Sequence, residues 1–307
     1  MKGATAAHYA EYAGLRGAVG VLRRMSFQHA GNVGEWIGRL GYTPLGIRRD
    51  VVERQVRAAF PGLAESEVLR IARESYAHLG RTSIETAILP AYSREEVLAL
   101  VEHVSGWDVM ERGLATGRGV MVVTGHLGNW ELGGSYLAAR GIVLEAVARR
   151  MQNPLFDRYL TETRGRIGMT VIHDADAVRR VPRAIREGHA VAFLVDQGAV
   201  GLASTWVPFF GRYAKTPRGP AVFTLRLNAP LVFATAVRNA NGRYSLHFEE
   251  VPITRTDDLE ADVDAIVAAY TSALERWVRR FPEQYFWHHR RWKHQRPGTP
   301  PELGDPS

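Results

Sequence analysis

His126 and Glu131 are the residues whose types and spacing point most directly to chemistry. An imidazole can take a proton from a hydroxyl or a water, and an ionised carboxylate against it fixes its tautomer and favours its protonated form. On one continuous helix, residues five apart point about 140° away from each other, so the two groups would not cooperate there. A turn between them is required, and Gly128 can supply it. A buried histidine beside a helix-capping glutamate would give the same letters, and the bare spacing does not choose between these readings.

The elements around the pair favour the chemical reading. Val120, Met121, Val122 and Val123, bounded by Gly119 and Gly125, read as a strand buried on both faces, which implies a sheet covered by helices. Asn129 is a good N-cap for a helix over 130–140, so His126 leaves the sheet at a strand's carboxyl end and Glu131 sits in the helix's first turn. Open α/β sheets place their sites there. Strands at 143–148, 170–173 and 190–195 then alternate with helices at 155–167 and 178–187, which predicts parallel pairing. The first and third of these strands deliver Arg149 and Arg150, and Asp196 and Gln197, to the same rim. Asp196 would bind a metal, orient a substrate or simply bond loop amides. A strand pair at 231–237 and 244–250 turns at Asn241-Gly242, and helices fall at 49–60, 65–89, 107–115, 217–228 and 261–281. Residues 101–104 read as an edge strand, and 198–215 as an irregular aromatic loop that forms core or lines an apolar channel. Glu85 reads as a surface residue.

The block Gly125-His126-Leu127-Gly128-Asn129-Trp130-Glu131 resembles the signature of the lipid A late acyltransferase family, whose relatives include the mycobacterial phosphatidylinositol mannoside acyltransferases. Arg149 ahead of Asn153-Pro154, Asp196-Gln197, Val207-Pro208-Phe209-Phe210-Gly211, Thr216-Pro217-Arg218-Gly219-Pro220 and the run Tyr285 to Lys293 follow in the family's order and extend the resemblance over most of the chain. It departs at Gly198-Ala199-Val200-Gly201, where that family usually carries an acidic, Tyr-Gly-containing stretch, and this leaves the acyl acceptor open. The resemblance implies a glycerolphosphate-acyltransferase-like α/β fold, a mixed and mainly parallel sheet with helices on both faces. It also implies transfer of a fatty acyl group from an acyl-carrier-protein or coenzyme A thioester to a hydroxyl of a glycolipid, a lipid A precursor or a related one. His126 would be the base and Glu131 its partner, with Asn129, Arg149, Arg164, Asp196, Gln197 and Arg218 binding substrate. No metal and no cofactor beyond the thioester are expected. The location implied is the cytoplasmic face of the bacterial inner membrane.

Composition bounds the alternatives. The chain has 307 residues, 46% hydrophobic and 23% charged, which suits an ordinary globular protein. Zero cysteines exclude a disulfide scaffold and thiol catalysis. A formal charge of +7 favours a polyanionic partner, whether an acidic carrier protein, anionic lipid or nucleic acid. No secretory signal is expected, and arginines interrupt the 10–24 stretch short of the ~20 apolar residues of a spanning helix. Leu15, Ala18, Val19 and Leu22 share one helical face, and Val33, Trp36, Ile37 and Leu40 another. Residues 1–48 therefore read as amphipathic membrane-associating helices, or as two core helices with the same pattern. Residues 49–296 form the α/β domain and 297–307 a disordered tail. Two other functions compete: a metal-dependent hydrolase built on His126, Glu131, Asp196 and His173, and a basic membrane or nucleic-acid binder using the cation-aromatic run 285–294.

Overall fold

The computed structural model describes residues 4–198 and 203–306. Helices α1 (Ala6–Leu22), α2 (Phe27–Tyr42), α3 (Arg49–Ala59), α4 (Glu65–Ile88) and α5 (Arg94–Ala99) come first. Then follow β1 (Val101–Ser105), α6 (Trp107–Ala115), β2 (Val120–Thr124), α7 (Trp130–Ala139), β3 (Leu144–Ala148), α8 (Pro154–Arg166), β4 (Met169–His173), α9 (Ala177–Arg186) and β5 (Ala190–Leu194). The hairpin β6 (Ser204–Phe209) and β7 (Arg212–Pro217) precedes α10 (Gly219–Leu227), β8 (Leu231–Arg238), β9 (Tyr244–Glu250) and α11 (Leu259–Arg280).

Seven strands among the described residues make one sheet in the order β1-β9-β8-β2-β5-β3-β4. All neighbours are parallel except β8 and β9, which pair antiparallel. This is the mixed, mainly parallel α/β sheet expected, with β1 at the edge. Val120, Met121, Val122 and Val123 are 0–2% exposed, because β2 lies mid-sheet and carries an apolar core on each face. The register sets the site. Thr124 pairs with Leu194, so His126 and Asp196 each lie two residues beyond their strand's last paired position, on adjacent parallel strands.

One expectation is corrected. The aromatic loop is a hairpin with a positive-φ turn at Phe210-Gly211, and Phe209 and Phe210 pack inward as core rather than lining a channel. The tail is seated over its described part: Arg212 donates to the Gly304 carbonyl at 2.9 Å, and Arg290 pairs with Asp305. Of the departure from the family pattern at 198–201, residues 199–201 lie outside the described residues.

The N-terminal helices are built differently from the sheet. A Cβ on Gly80 would stand 2.1 Å from the Gly34 carbonyl oxygen, so α2 and α4 approach through glycine backbone. With glycines facing inward, Trp36 and Ile37 stay exposed at 62% and 48%, and Tyr9, Val21 and Met25 are exposed nearby. Among the described residues, no helix is long and apolar enough to cross a membrane.

Candidate functional site

The turn from β2 into α7 is held so tightly that only a few residue types fit it. Gly128 has φ +63°, and a Cβ there would stand 1.9 Å from the Ala236 carbonyl oxygen, so this position requires glycine for the turn the sequence demands. The Gly128 amide donates to the Gln284 carbonyl (3.0 Å), the Asn129 amide to that of Ala236 (2.8 Å), and the Phe286 amide to that of His126 (3.0 Å). The carbonyl of Gly128 accepts from His78 Nε2 at 3.1 Å. Burial holds His78 well below the ordinary histidine range, so its ring is neutral.

His126 faces Asp196. Its Nδ1 lies 2.7 Å from Asp196 Oδ1 and its backbone amide donates to Oδ2 at 2.8 Å, so one carboxylate grips both ends of the residue. Asp196 is 2% exposed, yet its pKa is lowered to about 2: burial works against the charge, and the interaction with His126, whose ring and amide both bond the carboxylate, outweighs it. The Tyr285 hydroxyl also bonds Asp196, and burial with that negative charge raises the phenol's pKa well above its usual value. With Nδ1 committed to Asp196, Nε2 is the ring nitrogen turned away from that carboxylate. The Gln197 carboxamide lies 3.3 Å from both ring nitrogens, Trp130 meets the ring edge-on at 4.8 Å and Phe286 lies at 5.8 Å.

The expected partner, Glu131, is elsewhere. Arg164 clasps it with two bonds, Nε to Oε2 at 3.1 Å and a shorter one to Oε1, in a geometry that suits a guanidinium and a carboxylate. Asp196 therefore replaces Glu131 as the group that orients His126. The reason is strand order: β5 neighbours β2, whereas Glu131 turns with the first coil of α7 toward α8. The expectation that Asn129 binds substrate is corrected too. It is fully buried, its Oδ1 accepts from the Leu132 amide and its Nδ2 donates to Glu85, both at 3.0 Å. Glu85, read from sequence as a surface residue, is itself fully buried.

Arg149 stands exposed just past β3, as a cation on the rim with no ion pair among the described residues. Arg218 makes its ion pair with Glu260 on α11, 2.7 Å away, and its buried Nε has no acceptor. Beside Trp130, between α7 and the sheet, lies a narrow apolar cavity of about 50 Å³ walled by Val122, Leu137, Leu144, Ala234 and Phe248.

The competing sites are not assembled. Among the described residues His126, Glu131, Asp196 and His173 form no cluster of ligand atoms, and Glu131 is bound by Arg164. Among the described residues, the acidic and histidine ligand atoms that do cluster are those of Glu145, Glu187 and His189, and Arg180 and Arg183 already pair with these carboxylates. The cation-aromatic run is a wall of the core rather than an outward patch: Tyr285, Trp287, Arg291 and Trp292 are 0–4% exposed.

Residues 4–294 match the family model described as "Bacterial lipid A biosynthesis acyltransferase". The chain is 29% identical over 265 residues to the lipid A biosynthesis palmitoleoyltransferase of Escherichia coli K12, covering 85% of this chain and 84% of that one. It is 26% identical to the lipid A biosynthesis lauroyltransferase of the same organism, with 86% and 85% covered. A phosphatidylinositol mannoside acyltransferase of Mycobacterium tuberculosis H37Rv is 26% identical over 234 residues, 74% and 72% of the two chains.

Proposed function

The chain belongs to the bacterial lipid A biosynthesis acyltransferase family and is an acyltransferase, and from that premise we propose that it moves a fatty acyl group from an acyl-carrier-protein or coenzyme A thioester to a glycolipid hydroxyl, with His126 as general base and Asp196 as its partner. The supporting observation is the 2.7 Å contact of His126 Nδ1 with a buried, ionised Asp196. Nε2 takes the hydroxyl proton, the alkoxide oxygen attacks the thioester carbonyl, and the tetrahedral intermediate expels the thiolate. The imidazolium returns its proton to sulfur. Asp196 stabilises that imidazolium and holds the tautomer, without itself taking the proton.

The amides of His126 and Gly128 are already bonded, so neither serves the oxyanion; exposed Arg149 is the candidate donor there. The Glu131–Arg164 pair beside the turn shapes the substrate end of the site. The cavity beside Trp130 has room for one or two water-sized groups, so it is the mouth of an acyl slot that the chain must widen on entering. Basic surface attracts an acidic carrier and phosphorylated lipid alike. Exposed Trp36, Ile37 and Met25 suit a peripheral seat on a bilayer, where the acceptor resides.

The test uses lauroyl and palmitoleoyl thioesters as donors and a lipid A precursor as acceptor. His126→Ala is expected to lower transfer about 10²- to 10⁴-fold while vesicle association persists. Unchanged transfer would contradict the assignment of the base.

A further inference from the structure

We propose that Glu85 is a positioning residue for the acyl transfer: through the side chain of Asn129 it fixes the turn that presents His126. The inference rests on the reading of His126 as base. Its geometry begins with an amide whose two ends must not be exchanged. Asn129 Oδ1 caps α7 by accepting from the Leu132 amide at 3.0 Å, and this requires Nδ2 to point the opposite way, where Glu85 Oε2 receives it at 3.0 Å. An inverted amide would set two acceptors against each other at Glu85 and two donors at Leu132. The carboxylate therefore determines which way Asn129 faces, and the cap, three residues beyond His126, determines where α7 starts.

Glu85 is suited to this by its own restraint. Oε1 accepts from Arg81 Nε at 2.9 Å, and Oε2 also accepts from Arg238 at 3.3 Å and from the Tyr244 hydroxyl. Arg81 in turn is held from α2 by Asn32 and Glu35, each at 2.8 Å, and by Gln28. The carboxylate is fully buried and accepts four bonds, one at Oε1 and three at Oε2, and α4, α7, β8 and β9 all contribute to fixing it, with α2 behind Arg81. Buried ionic networks of this kind roughly break even with apolar replacements in stability. What the network adds is a single orientation for one amide at the base of the catalytic turn. Glu85 does not touch substrate.

The test exchanges the two members of the pair. Glu85→Gln places an amide among donors, and Asn129→Asp places two carboxylates face to face, so each single change is expected to lower kcat about ten- to hundredfold with donor KM within about twofold. In the double variant the new glutamine amide donates to the new aspartate, its oxygen still accepts from Arg81, and the Tyr244 hydroxyl can turn to accept. Net charge is unchanged and the cap oxygen is retained. The double variant is expected to recover at least tenfold over either single one. Hydrogen exchange of the 126–132 amides, which needs no substrate, is expected to rise in the single variants and to fall again in the double. A double variant no better than Asn129→Asp in rate and exchange, or unable to fold where Asn129→Asp folds, overturns the proposal. Full activity of His126→Ala would overturn the base assignment instead, while the exchange data still decide whether Glu85 sets the turn.

Discussion

The rim of the sheet and the N-terminal helices treat polar and apolar groups in opposite ways. At the rim, Asp196, Glu131 and Glu85 are buried and each is matched to a named cation, imidazole or amide. On α2, Gly31 and Gly34 lie on the buried face with Phe27, Ala30 and Tyr42, while Trp36 and Ile37 face outward. Burial of a charge is costly unless every bond is supplied, so the rim is where the chain has invested in fixed geometry. The partner proposed for the outward apolar face, a lipid surface, is fluid and needs no such precision. The contrast separates a region that holds atoms within tenths of an ångström from one whose proposed task is only to adhere.

Three changes sharpen or break that contrast. If Glu131 serves Arg164 rather than His126, Glu131→Gln and Arg164→Gln each lower kcat/KM about ten- to hundredfold, and the double variant is little worse than either. Steady-state kinetics of the three variants would show this, and a Glu131→Gln loss as deep as that of His126→Ala would merge the two pairs into one. On the outer helices, Trp36→Ser with Ile37→Ser is expected to weaken binding to anionic vesicles about tenfold, while rates on detergent-dispersed substrate stay near those of the unmodified protein. Sedimentation with the vesicles reads the first and initial rates the second.

The smallest effect concerns acid stability. Burial lowers the pKa of His288 to about 4, and neither of its ring nitrogens has a partner. The folded ring is therefore neutral while the unfolded one takes up a proton below about 6.5. Stability linked to this group is fully present above that value and is lost as pH falls from about 6.5 toward 4, at about 1.4 kcal/mol per pH unit. His288→Phe is expected to flatten that part of the urea-midpoint curve against pH, and an unchanged slope would assign it to other groups such as His289, whose pKa burial also lowers to about 4.

Local features were legible in the sequence where local physics decides them. The apolar run of β2, the cap at Asn129 and the glycine turn at 128 all announce themselves within ten residues, and so does the placing of Asp196 on the rim. The partner of His126 was not legible. The pairing depends on β5 being the neighbour of β2, and strand order is a property of the whole sheet that no short window contains. Proximity in sequence favoured Glu131 instead. Glu85 was hidden for the same reason, since Asn129 and Arg238 reach it from 44 and 153 residues away. The hairpin after 203 escaped notice because its positive-φ turn uses Phe210 where asparagine is usual, tolerated here because Glu275 accepts from its amide at 2.6 Å and the ring packs on Phe60 and Phe209.

The account turns on His126 and Asp196 acting as one unit, and a kinetic double-variant cycle measures that directly. Initial rates of acyl transfer would be compared for His126→Ala, Asp196→Asn and the two combined. Each single change is expected to cost about 10²- to 10⁴-fold, with the combination no slower than His126→Ala alone, because groups that work together cannot be lost twice. An Asp196→Asn enzyme within about threefold of full rate, or losses that multiply in the double variant, would contradict it.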